Sequence, residues 1–252
     1  GKRTDLVRLE KGNTFGEMGL FRKAERSASA EAAEKTRLLV VNRDCLDPLK
    51  KRNPKIAAKL FLNLANRLQS SLKETDERLL TQKDFNLTNL KAKLNEDEKL
   101  TAQESSTNPA ELWENLGEKW RRKLGPFSET FNVSKGKRLM KIKNNKGDYL
   151  FITSGEVEIE SIVSAKSEAF SVGYCWTRKG FDLIGEFALC TGNKAATARA
   201  IARQDSTLLQ FTAKNLLAMA KKESRIAAQF LEDVVCMLSD QLAIADKRLQ
   251  NH

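Results

Sequence analysis

Two stretches of this chain, GNTFGEMGLFRKAERSASA at Gly12–Ala30 and GFDLIGEFALCTGNKAATARA at Gly180–Ala200, are built on one frame. Each carries a Gly-Glu pair, then an apolar patch, then a run of small residues. Ser27 to Val41 aligns with Thr197 to Phe211 without a gap, which sets Leu38-Leu39-Val40-Val41 on Leu208-Leu209-Gln210-Phe211. Both four-residue runs read as strands. The frames differ at one charge: Arg26 in the first stretch falls on Ala196 in the second, where Lys194 is the nearest upstream cation.

Working outward, the second half reads as the more complete unit. Asn108, Pro109 and Glu111 form a helix start, and Leu112, Trp113, Leu116, Trp120 and Leu124 recur at helical spacing until Gly125-Pro126. The aromatic stripe reads as core packing. From Phe127 to Phe211, short apolar segments alternate with turn signals such as Asn145-Lys146-Gly147-Asp148, and Val157 and Ile159 alternate with Glu156, Glu158 and Glu160. This pattern predicts strands with one buried face, in a small barrel or jelly roll.

After Thr212 helical spacing returns through Leu216 and Met219 to Leu242, predicting a long amphipathic helix. Pro54 opens the same pattern in the first half, with Ile56, Leu60, Leu64, Leu68 and Leu72 on one face. The run Ser27–Glu34 has strong helix propensity, but alignment with a second-half strand predicts that fold context overrides it.

The expected class is α+β. Residues 1–100 form one unit, 101–108 a linker, and 109–252 a second unit. The first unit has about ten residues before its turn where the second has some seventy, so the sequence reads as beginning inside a domain. That predicts a barrel incomplete at its N-terminal side.

Bulk composition narrows the function. The chain has 252 residues, 40% hydrophobic and 31% charged, with a formal net charge of +11. The basic excess is spread over both halves; such a balance suits an anionic ligand, nucleic acid or a membrane surface, but it reads first as solvated mixed-sign helix faces and by itself identifies no partner. No apolar run is long enough to span a bilayer. Cys45, Cys175, Cys190 and Cys236 form no C-x-x-C and read as buried thiols in a reducing cytoplasm. The one histidine, His252, is the last residue, which excludes a His-based triad or metal cluster within the fold. No nucleophile-base pair or G-x-x-x-x-G-K-[ST] loop is present, so the reading is not an enzyme, and neither cofactor nor metal is expected.

The order of helix, KGKRL, GDYLFITSGEVEIE, G-x-x-x-GEFAL, LLQF and long helix resembles the cyclic nucleotide-binding domain of catabolite activator-like proteins, protein kinase A regulatory subunits and cyclic nucleotide-gated channels. The first copy resembles it most closely at FGEMGLFRKAERSASA. The resemblance implies two such domains, each a jelly-roll β-barrel flanked by helices, with the first truncated at its N-terminal side. It covers about residues 4–80 and 110–250.

The resemblance also implies a ligand, cAMP or cGMP. A cyclic phosphate needs a fixed cation and backbone N–H groups that approach without an intervening side chain, which a glycine turn beside a short helix supplies. The implied ligand-binding residues are Gly16, Glu17, Met18, Gly19, Arg26, Ser27 and Ala28. Glu17 accepts from the ribose 2′-OH, Arg26 forks onto the exocyclic oxygens, and Ser27 adds a hydroxyl. Ser71, or its neighbour Ser70, falls near the position from which some family members touch the purine. Read without the family, Arg26 is a surface charge, Glu17 a turn carboxylate and the serine an exposed helix position.

The second site, at Gly185, Glu186, Phe187, Ala188, Lys194, Ala196 and Thr197, keeps the turn and lacks the arginine. It therefore reads as degenerate, with weak or no binding. The expected function is a cyclic nucleotide-sensing regulatory protein acting on a protein effector, with homo-oligomer contacts through the long helices. The alternative is a structural scaffold that retains nucleotide-binding folds. A DNA-binding activator would place a helix-turn-helix after the long helix, where this chain stops.

Overall fold

The computed structural model describes residues 8–21, 29–81, 122–137, 149–162, 182–184 and 197–250. In the first half these form a short helix α1 (Met18–Phe21), a 3₁₀ turn (Arg43–Cys45), α2 (Leu46–Arg52) and α3 (Pro54–Thr81). The second half contributes β1 (Glu129–Val133), β2 (Tyr149–Ser154), β3 (Val157–Ile162), β4 (Asp182–Ile184), β5 (Thr197–Ala202), β6 (Ser206–Phe211), α4 (Ala213–Lys222) and α5 (Ser224–Gln250).

The strands form a four-stranded antiparallel sheet in the order β1-β6-β2-β4 and an antiparallel pair β3-β5. One turn ties the two layers together. Gly155, at φ +87°, reverses the chain between β2 and β3, a backbone state that only glycine adopts without strain. A Cβ there would come within 2.3 Å of Ser206 Oγ and 2.4 Å of the Asp205 carbonyl. The Ser206 hydroxyl accepts from the Glu156 N–H at 3.0 Å, so the turn is pinned to the start of β6.

α3 and α5 lie side by side and run parallel. Near their starts, Lys50 at the end of α2 pairs with Glu232. Near their ends, the Thr75 hydroxyl donates to Asp246 Oδ1 at 3.3 Å. Leu64, Leu68 and Leu72 are buried on α3, and Val234, Leu238 and Leu242 are buried on α5. These two triplets correspond in the register that matches Ser27 to Thr197, so the helices pair like with like.

The joints before the two helices repeat each other in detail. Asn53 stops α2 at φ −137°, ψ 64°, its N–H bonding the Leu49 carbonyl at 2.8 Å. Glu223 stops α4 at φ −126°, ψ 52°, bonding the Met219 carbonyl at the same distance. The two joints thus share one backbone geometry. The single long helix expected after Thr212 is instead two, α4 and α5. The Thr212 side chain caps the first by accepting from the Asn215 N–H.

One contiguous core crosses both halves, and aromatic rings join its layers. Phe151 and Phe211 of the sheet meet edge to face at 5.6 Å, and Phe211 lies 4.7 Å from Phe230 of α5. Tyr149, buried in β2, donates its hydroxyl to Asn66 of α3 at 3.0 Å.

Five expectations are corrected. Leu38–Val41 is not a strand: the segment has no regular secondary structure, and Leu39 is 93% exposed. A strand exists only through its partners. Its counterpart β6 is held on both edges by β1 and β2, whereas nothing among the described residues of the first half pairs with 38–41. Residues 29–34 form neither helix nor strand for the same reason. Hence no jelly roll is present among the described residues of the first half. Cys45 is exposed rather than buried; Cys236 is buried as expected. Ile56 is 59% exposed, because the buried face of α3 at this end runs through Ala57, Ala58 and Phe61 instead.

The helix expected from Asn108 lies mostly outside the described residues, as do the linker 101–108, residues 163–181, Cys175 and Cys190. Among the described residues no helix is long and apolar enough to cross a membrane.

Candidate functional site

The first Gly-Glu turn is described up to Phe21. Gly16 sits at φ +75°, and the turn closes through Gly19 N–H to the Gly16 carbonyl at 3.1 Å and Leu20 N–H to the Glu17 carbonyl at 3.0 Å. These bonds leave Gly16 and Gly19 at the surface and Glu17 and Met18 half-buried. The two glycines keep the outer side of the turn free of bulk, so an anion can approach the backbone there.

What fixes the turn is its inner side. Phe21, the last residue of α1, is 2% exposed and meets Phe61 of α3 edge-on, with ring centroids 6.2 Å apart. Met18 and Leu20 pack against the same core. Arg43, in the 3₁₀ turn before α2, donates from Nη1 to the Leu20 carbonyl at 3.0 Å. The turn is therefore tied both to the 3₁₀ turn before α2 and to α3. Sequence reading overlooked Phe21 and Arg43. The spacing of Met18 to Phe21, three residues apart on one turn of helix, was the available signal for the first.

Behind the turn lies a charged contact between α2 and α5. Lys50 bridges Asp47, at 2.8 Å, and Glu232. Hydrogen bonds to these two carboxylates outweigh the opposing effect of burial and raise the Lys50 ammonium pKa, while Lys50 lowers that of Asp47. Next to Glu232, Asp233 is buried, and burial pushes its carboxyl up to about 7. Gln229 Nε2, donating at 3.1 Å, and Lys50 oppose that rise, whereas the Glu232 charge adds to it. At the far end of the pair, burial likewise raises the carboxyl of Asp246.

The remaining site residues are placed as follows. Arg26, Ser27 and Ala28 lie outside the described residues, as do Gly185, Glu186, Phe187, Ala188, Lys194 and Ala196. Thr197 opens β5, paired with Ile162 of β3. Ser71 is half-buried on α3, and the Ser70 hydroxyl donates to the Asn66 carbonyl one turn back at 3.1 Å. Among the described residues, no group of three or more His, Cys, Asp or Glu side chains is arranged to hold a metal ion.

Comparison with known proteins points to the same part of the chain. Residues 1–53 match the family model for the cyclic nucleotide-binding domain. The Cyclic AMP receptor protein of Thermus thermophilus is 42% identical over 76 residues, which are 30% of this chain and 35% of that protein. The chain thus spans about a third of the length of this curated relative.

Among solved structures, a CooA mutant from Carboxydothermus hydrogenoformans is similar at 16% identity and a TM-score of 0.39, over 58% of this chain and 85% of that one. A cyclic nucleotide-binding domain from Methylobacillus flagellatus gives 16% identity and 0.41, over 53% and 72%. The catabolite activator protein of Thermus thermophilus gives 19% and 0.34, over 47% and 54%. The family match covers the Gly16–Phe21 turn, the Arg43 anchor and α2, and ends at the joint Asn53.

Proposed function

We propose that this chain is a regulatory region that senses a cyclic mononucleotide through its first half. The carrying observation is the Gly16–Phe21 turn: backbone exposed on one side, Phe21 locked against Phe61 on the other, inside the segment that matches the cyclic nucleotide-binding family. In this reading Gly16, Glu17, Met18 and Gly19 line the phosphate and ribose. Arg26 supplies the cation, Ser27 and Ala28 complete the cassette, and Ser71 lies toward the base. The 42% identity to a Cyclic AMP receptor protein supports cAMP over cGMP as the ligand.

No catalytic group is required. Ligand would favour one arrangement of α1 against the helix pair, and α3 and α5 would carry that bias to the second half and on to a protein effector. The second cassette, with Ala196 where the first has Arg26, serves the fold rather than the ligand in this reading. Two tandem domains of cytoplasmic type, divided near 101–108, complete the proposal.

Titration calorimetry of the full-length protein with cAMP and with cGMP, beside Arg26→Ala, tests it. Micromolar or tighter binding of one nucleotide, weakened about tenfold or more in the variant, is expected for loss of a charge-assisted pair. Equal affinity in parent and variant, or no heat from either nucleotide, would sink the assignment.

A further inference from the structure

The joints that start α3 and α5 carry the same charges. Lys51, Arg52 and Lys55 surround the Asn53 joint, and Lys221, Lys222 and Arg225 surround the Glu223 joint, pair by pair in the register of the repeat. All six are exposed. None of them forms an ion pair among the described residues, and the acidic groups of the same segments, Asp47 and Glu223, are already paired with Lys50 and Lys123.

The two joints also meet in space. Pro54, the first residue of α3, lines one groove together with Lys123, Lys222, Glu223, Ser224, Arg225 and Ile226. Parallel pairing of α3 and α5 therefore brings two like-charged clusters to one end of the molecule. The last turns of α2 and α4 account for four of the cations, since a helix C-terminus favours positive charge. They do not account for Lys55 and Arg225, which stand in the first turns of α3 and α5, where no acidic residue is present and the helix end is itself positive. Concentrating this charge at one end opposes folding unless an anionic surface meets it.

Exposed aliphatic side chains stand among these cations. Ile56 follows Lys55 and is 59% exposed; Leu217, one turn before Lys221 on α4, is 52% exposed. Lysines interspersed with outward aliphatic groups suit a lipid interface, where ammonium groups meet headgroups and apolar tips enter the acyl boundary. Protein interfaces instead tend to exclude lysine, and phosphate backbones of nucleic acid offer the aliphatic groups nothing.

We infer that the end of the molecule formed by the two helix joints docks on an anionic membrane surface, through Lys51, Arg52, Lys55, Lys221, Lys222 and Arg225 with Ile56 and Leu217 at the contact. This surface is separate from the proposed nucleotide site and does not depend on it.

Co-sedimentation of the full-length protein with vesicles tests the inference, using phosphatidylcholine alone or with about 30% phosphatidylserine at about 0.1 M salt. Binding to the phosphatidylserine vesicles at least about tenfold tighter than to neutral ones is expected, with loss at about 1 M salt. Replacing either basic triplet by Gln lowers that binding by roughly a hundredfold. Ile56→Ser with Leu217→Ser weakens it further without changing its salt dependence. Glutamine at these exposed positions does not lower the thermal melt, which separates lost docking from lost folding. Equal binding to both vesicle types, or full binding by the Gln variants, overturns the inference. So does tighter binding to a DNA duplex that requires the same cations and ignores the two Ser substitutions, because the surface would then be a nucleic-acid face.

Discussion

Phe21 meets Phe61 edge-on at 6.2 Å, and through that contact the Gly16–Phe21 turn is fastened to the helix α3 that follows it by more than thirty residues. Phe21 is the most deeply buried of the groups that hold the turn, so the turn loosens when the ring is removed. Phe21→Ala should destabilise the fold by roughly 3–5 kcal/mol, the usual cost of deleting a buried aromatic ring. In calorimetry it should also weaken nucleotide binding, although Phe21 is itself buried against Phe61. Phe21→Leu retains most of the apolar volume and should restore most of both.

Stability should fall as pH rises from about 4 to about 7, because of Asp233. In the unfolded chain this carboxyl releases its proton near 3.8, whereas in the fold burial delays release to about 7. Between those values the native state binds more protons than the unfolded state, so each step upward in pH favours unfolding. The full span corresponds to at most about 4 kcal/mol. Asp233→Asn should flatten this part of the profile and stabilise the protein at pH 8 by about 1–3 kcal/mol. Denaturant melts at pH 4.5 and 8 check both statements. A parent profile that rises across that range would contradict them.

Lys50 and Glu232 should be energetically coupled. Their side chains are 18% and 16% exposed, between a surface pair and a buried one. A double-mutant cycle of Lys50→Met and Glu232→Gln should therefore return about 1–3 kcal/mol. Because its partners raise the Lys50 pKa, its contribution is complete at neutral pH and disappears only as pH climbs past the ordinary lysine range. Salt should weaken the coupling less than that of an exposed pair.

Gly155→Ala should be among the most damaging single substitutions in the described residues. It combines a strained φ of +87° with a Cβ placed 2.3 Å from Ser206 Oγ and 2.4 Å from the Asp205 carbonyl. The hydroxyl can rotate away, but the backbone carbonyl cannot, so a loss of about 2–4 kcal/mol is expected. A thermal melt within a degree of the parent would show that the turn relaxes more freely than its packing implies.

Much of the second half was legible in the sequence because its local signals and its partners agree. The turn at Gly155 separates the apolar run Tyr149–Ile152 from the alternating run Val157–Glu160, Leu208, Leu209 and Phe211 mark β6, and Thr212 is an ordinary cap. Leu38–Val41 carries the same local signal as β6 without the flanking strands, so the strand reading failed where pairing was needed to complete it. The breaks at Asn53 and Glu223 have no strong marker in the second copy, where Glu-Ser replaces Asn-Pro. Nor does periodicity say which face a helix stripe will meet. The stripes of α3 and α5 were each visible, and their union was not. Of the candidate site, the glycine turn was legible from its spacing, whereas its anchoring through Phe21 and Arg43 depends on contacts made far along the chain.

Because α3 and α5 belong to one polypeptide, their pairing is a unimolecular event. Each helix meets the other at an effective concentration set by the intervening chain, so dilution does not separate them. Two helices joined in this way need not remain identical. Thr75 can bond to Asp246 across the pair without a mirror-image bond being required, a freedom that a symmetric pair of identical chains lacks. Such an arrangement lets one half specialise while the other holds it in place.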